Sequence, residues 1–254
     1  MTLPPSVAPR PAVKLLADPP ALRSWIARYG EQHGSSRFPV ASALAFKAYT
    51  WALIEVAVGR WVTERRVVDV SPSRVSVSAE PGGEPTLEFL SLHYTVLPDD
   101  PIAGESGVSV VESDQALLDV LRRTLVENHL LPAVEAFRSL RGGGPRPLWG
   151  TVAQSMGYPA ATADPALLPD RADTVRQLLS ILPAGVDALV EIAELDEGHG
   201  WRPLLLRRTC CYAYTLPAYG QPCLTCCLLD DAGRDAVAAA DQVEWRRCGN
   251  CAPN

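Results

Sequence analysis

The chain has 254 residues, with 23 Lys and Arg against 29 Asp and Glu, a net charge of -6 and a pI near 5.3. This acidic balance excludes broad electrostatic binding to nucleic acid or anionic lipid, both of which need an excess of positive surface. With 47% hydrophobic and 20% charged residues and a mean hydropathy of +0.04, the composition excludes a disordered or fibrous chain and predicts a folded core, as one large domain or two packed lobes.

Residues 1–20 contain six prolines and read as an extended N-terminal arm. The arm has no continuous apolar run of the kind a secretory signal needs, so a cytoplasmic location is expected. ALRSWIARYGEQHG sets Leu22, Trp25, Ile26 and Tyr29 at helical spacing and carries Gly30 and Gly34 as stop signals. VASALAFKAYTWALIEVAVGRWV, residues 40–62, is the most apolar stretch. Lys47 and Glu55 interrupt it, which predicts a buried helix and no transmembrane segment. The pattern then switches to period two in RRVVDV, RVSVSA, PTLEFLSLHYTVL and GVSVV, separated by Pro and Gly turns, as expected of a small, largely antiparallel sheet. Residues 21–112 thus form a first lobe of helices plus sheet.

A second helical region opens at Ser113, which is placed to cap it, and Pro132 is expected to kink or split it. GGGPRP, residues 142–147, is a turn, LWGTVAQSMGYP starts a further helix, and RADTVRQLLSIL another. GVDALVEIAEL fits helix or strand, and WRPLLLRR is expected to be a strand. The fold class is α+β, with a mainly helical lobe over 113–254 that ends in a cysteine-rich loop. No Gly-rich dinucleotide fingerprint follows a strand, and GGG at 142–144 has the wrong spacing, so direct binding of NAD(P)H is not expected.

All seven cysteines lie in the last 45 residues: Cys210, Cys211, Cys223, Cys226, Cys227, Cys248 and Cys251. Core thiols would be scattered along the chain, and an odd count in a chain with no export signal argues against structural disulfides. A metal remains. One arrangement is a zinc-binding interaction or assembly module on Cys223, Cys226, Cys248 and Cys251, a C-x-x-C pair of pairs separated by 21 residues. It leaves Cys210 and Cys211 unused, and DAGRDAVAAADQVEW between the pairs reads as a helix that would hold its ends roughly 20 Å apart.

The other arrangement is a [2Fe-2S] cluster on Cys210, Cys211, Cys223 and Cys226, since the rhombus needs four thiolates, two for each tetrahedral iron. Neighbouring side chains on a strand point to opposite faces, so a loop is expected at the vicinal pair, with Pro217, Gly220 and Pro222 turning the chain back. A Rieske centre is not expected, because none of His33, His93, His129 and His199 stands at a C-x-H spacing.

RRTCCYAYTLP followed by CLTC resembles the C-terminal signature of the FhuF-type ferric-siderophore reductases, a Cys-Cys pair, about ten residues and a C-x-x-C. RPLWGTVAQSM, residues 146–156, is similar to a tryptophan-containing helix start of that family. The resemblance spans roughly the C-terminal half. Eleven residues separate Cys211 from Cys223 here, a difference a loop absorbs cheaply, and Cys227, Cys248 and Cys251 are extra.

The resemblance implies an oxidoreductase with a [2Fe-2S] cofactor held in segment 207–231. Such an enzyme reduces Fe(III) in an imported siderophore, hydroxamate being the expected class, and releases Fe(II). Its electron donor would be external, a ferredoxin or an NAD(P)H-dependent reductase. Ferric iron is a hard cation held by hard oxygens, and one electron makes the complex labile. Arg146, Trp149, Arg207 and Arg208 are the candidate chelate-binding residues, arginines for an anionic complex and an aromatic face for its apolar surface.

Overall fold

A computed structural model describes residues 7–79, 85–140, 144–196, 201–216 and 221–240. The elements in order are β1 (Val7–Pro11), α1 (Ala12–Leu16), α2 (Pro19–Gln32), α3 (Phe38–Glu64), β2 (Val67–Val68), β3 (Val75–Ala79), β4 (Pro85–Phe89), β5 (Tyr94–Val96) and β6 (Val108–Val110). Then follow α4 (Asp114–Leu121), a π-helical stretch (Arg122–Leu130), α5 (Leu131–Ser139), α6 (Pro145–Ala161), α7 (Arg171–Ser180), β7 (Val190–Asp196), β8 (Trp201–Arg207) and α8 (Asp231–Ala240). The fold is α+β.

Residues 7–20 are not an extended arm throughout. The chain pairs as an antiparallel edge strand up to Pro11 and then turns helical. The prolines explain this: Pro19 and Pro20 sit in the first turn of α2, where the missing N–H costs no hydrogen bond, and Asp18 accepts from Ala21 N at 3.0 Å as the cap. Ser113 caps α4 as expected, its Oγ accepting from Ala116 N at 3.2 Å. Pro132 does not break the helix. The chain passes through π-helical geometry immediately before it, and the proline stands in the first turn of α5.

Three small sheets replace the single one expected. β1, β3 and β4 form an antiparallel sheet, β2, β5 and β6 a mixed one whose β5–β6 pair is parallel, and β7 with β8 an antiparallel hairpin. GVDALVEIAEL resolves as a short 3-10 turn leading into β7. α3 lies at the centre, packed on α2 and α6. It is long and apolar enough to cross a bilayer, but 72% of its most apolar window is buried inside the fold. Phe46, Tyr49, Leu53, Ile54 and Trp61 on α3 are almost fully buried and meet Leu22, Ile26, Leu121 and Phe137 in one continuous core.

β8 is the element that carries the core toward the cysteines. Residues 202–207 are all buried, because both faces of the strand are covered. On one face lies α6, where Gly157 lets the helix approach Leu205: an added Cβ would fall 3.1 Å from Val175 and closer still to Leu205. On the other face Leu204 and Leu206 form a separate small cluster with Leu224, so the C-x-x-C turn is pinned to the hairpin by one leucine.

Candidate metal centre

The strand ends at Arg207 and the next residues are irregular, which places Cys210 and Cys211 in a loop as the sequence predicts. Tyr212, directly after the pair, has φ +62°, a left-handed conformation that is unusual for a bulky side chain. In that conformation its N–H donates to Cys210 Sγ at 3.3 Å. A 3-10 turn, Ala213–Thr215, follows. Of the turn residues expected to bring the chain back, Pro217 and Gly220 lie outside the described residues, as do Cys248 and Cys251.

The C-x-x-C segment is closed by Cys226 N donating to Cys223 O at 2.8 Å. It is tied to the fold at Thr225, whose carbonyl accepts from Arg207 N at 3.0 Å and whose Oγ1 accepts from Gln154 Nε2 of α6 at 2.8 Å. Cys223 Sγ lies 3.5 Å from the same Thr225 hydroxyl. Cys226 is buried, and Cys210, Cys211, Cys223 and Cys227 are half-buried; all five are free thiols.

The two halves of the motif influence each other electrostatically. Burial raises the pKa of the Cys226 thiol, and Cys227, Cys211 and Cys210 raise it further by repulsion between thiolates. Cys227 is raised by burial and then by Cys210, with Arg207 opposing. Buried thiols such as Cys226 and Cys227 resist ionisation until a cation joins them, and a metal is a cation that reverses that balance. Among the described residues, no three His, Cys, Asp or Glu side chains converge closely enough to hold a metal ion.

The fit to an iron-sulfur cluster therefore rests on donor chemistry and on Arg207. This arginine is only 4% exposed. Its Nη2 donates to Thr151 Oγ1 at 3.1 Å, its Nε has no partner, and no carboxylate pairs with it among the described residues. A buried permanent cation without a counter-ion is costly, and here its charge opposes the rise that burial causes in the pKa of Cys227. Thr209, 6% exposed, likewise has no partner for Oγ1. Arg207 brings a buried positive charge into the field of Cys227, next to Cys226, and an anionic tetrathiolate centre needs such charge in its surroundings.

The four chelate candidates are placed differently from one another. Arg146 is exposed in the first turn of α6, and Trp149 is half-buried against the core. Arg208 is exposed and pairs with Glu191 at 3.3 Å on the neighbouring strand. Arg207 faces the interior. Sequence reasoning missed Gln154 and Thr225, which fasten the C-x-x-C segment to α6, Thr151, which accepts from Arg207, and Thr209, which packs against Gly150; none carries a motif of its own. Gly150 did leave a signal, because a glycine inside a helix costs about 1 kcal/mol against alanine and implies a packing reason. The reason is Thr209: a Cβ on Gly150 would lie 2.8 Å from its Cγ2.

No protein-family model matches this chain, and a search of curated proteins finds no relative either.

Proposed function

We propose that this chain is a cytoplasmic ferric-siderophore reductase that holds a [2Fe-2S] cluster on Cys210, Cys211, Cys223 and Cys226. The observation that carries the reading is Arg207, a buried guanidinium with no carboxylate partner among the described residues, whose charge reaches Cys227, the neighbour of the proposed ligand Cys226. The spacing of the cysteine motif, which resembles that of the FhuF-type reductases, supports it. When bound, such a cluster supplies electrons one at a time, which suits the conversion of a tight ferric chelate into a labile ferrous one.

The chain's own residues then have distinct tasks. Arg207 contributes positive charge from the buried end of β8, stabilising the more negative state. Tyr212 N–H, already directed at Cys210 Sγ, does the same from the loop. On the open side, Arg146 and Arg208 offer exposed guanidiniums to an anionic hydroxamate chelate, and Trp149 an aromatic surface. A ferredoxin or an NAD(P)H-dependent reductase supplies the electron.

Anaerobic purification followed by visible absorption, EPR after dithionite, and iron, sulfide and zinc analysis tests this reading. About two irons and two sulfides per chain with a reduced-state EPR signal are expected. The Cys210→Ser and Cys226→Ser variants should lose both. A colourless protein with about one zinc overturns the reading in favour of the C-x-x-C pairs.

A further inference from the structure

A cavity of about 210 Å³ lies between α3 and α6, lined by Trp51, Glu55, Gly59, Ser155, Tyr158 and Thr162. The three α3 residues recur every four positions and so form one stripe along the helix. Trp51 and Tyr158 meet edge to face with centroids 4.7 Å apart, and both rings are half-buried at the cavity wall. Glu55 makes no ion pair or side-chain hydrogen bond among the described residues, and no Lys or Arg lines the space.

Two further groups there lack partners that helices ordinarily supply. Ser155 is only 3% exposed, yet its hydroxyl makes no hydrogen bond among the described residues. Pro159, inside α6, has no N–H to donate to the Ser155 carbonyl, so that acceptor loses its usual helical donor beside the same cavity. Carboxylate, hydroxyl and carbonyl are all acceptors. Aromatic faces add an attraction for positive charge, which grows where water is displaced.

We propose that this cavity binds a small primary alkylammonium ion, with the ammonium meeting Glu55 and the Ser155 oxygens and the alkyl chain lying against Trp51 and Tyr158. Three N–H donors match three acceptor groups, and the rings cover the methylenes. The site is independent of the thiols.

Gly59 makes the test clean. A Cβ added there meets nothing within 4 Å, so Gly59→Leu fills the cavity without a backbone clash, and leucine is the better helix former. Isothermal titration of the purified full chain at neutral pH with butylammonium and, separately, with butan-1-ol reads the charge requirement. Saturable binding of butylammonium is expected, with butan-1-ol at least about tenfold weaker. Gly59→Leu should abolish binding while the thermal midpoint stays level or rises, and Glu55→Gln, an exposed change, should weaken it at least about tenfold. Absence of saturable butylammonium binding, equal binding of butan-1-ol, or Glu55→Gln binding like the parent protein overturns the proposal. So does Gly59→Leu binding like the parent.

Discussion

Around Phe46, Tyr49, Trp61 and Phe137 the helices leave almost no side chain in contact with water. From Cys210 to Leu229, among the described residues, only Ala213, Leu216, Leu224 and Cys226 are buried. The two regions are joined through β8, but they are stabilised differently. Apolar burial at about 25 cal/mol per Å² holds the first, and its many contributors share the load. The second is tied by Leu224, by the Arg207–Thr225 backbone bond and by Gln154, so its order depends on few groups. A segment of that kind gains most from a bound metal, because ligation adds folding free energy where apolar contacts are scarce.

The sharpest way to separate the two regions is to empty one position in each. Phe137→Ala, in the aromatic group with Trp25 and Phe46, should cost about 3–5 kcal/mol in urea unfolding. Leu224→Ala should cost about 2 kcal/mol, since its cluster is small and at the edge, and on the proposed [2Fe-2S] reading should also cut the iron retained through purification. Equal losses at both sites would mean that the thiol segment is as firmly packed as the core.

Acid should weaken the helical core before it reaches the carboxylates. His129 is completely buried, bonded to the Tyr49 hydroxyl and the Val70 carbonyl, and burial lowers its pKa to about 4 against the Val70 hydrogen bond that would raise it. In the unfolded chain the imidazole titrates near its ordinary value of 6.5. Between those values only the unfolded state takes the proton. Stability is therefore full above pH 6.5 and falls as the pH drops toward 4, by about 3 kcal/mol in all. Urea unfolding across that range checks it. A His129→Gln variant should lose this component of the slope.

Gly150→Ala probes the joint between the regions. The new methyl would press on Thr209, one residue before the cysteine pair, and should cost about 1–3 kcal/mol while altering the visible spectrum of the proposed cluster. Combining it with Thr209→Gly should cost less than the sum of the two changes, because the same clash is removed. The smallest effect belongs to Tyr212→Gly. Relief of the left-handed backbone offsets the extra freedom of glycine in the unfolded chain, leaving a change below about 1 kcal/mol in thermal or urea unfolding. Tyr214→Gly, at a residue without positive φ, should instead only destabilise.

Long periodic segments were legible in the chain alone. The buried α3, the Ser113 cap and the strand before the cysteines all follow from apolar spacing and local hydrogen bonding, which act over a few residues. Prolines misled twice in the same direction: those at 19 and 20 begin a helix, and Pro132 sits in a continuous one. A proline's effect depends on whether its missing N–H falls in a first turn or an interior one, and sequence spacing does not show which.

The candidate ligands were readable because thiols in a Cys-Cys and a C-x-x-C carry their chemistry in residue type and spacing. Their surroundings were not. That Arg207 is buried with no carboxylate partner among the described residues, that Gly150 makes room for Thr209, and that Trp51, Glu55 and Ser155 border one cavity depend on how α3, α6 and β8 stack. Spacing along the chain determined which groups are available to bind. Only packing between elements distant in sequence decided which charges are buried and which donors are left over, because desolvation is a property of the assembled interior and not of any segment within it.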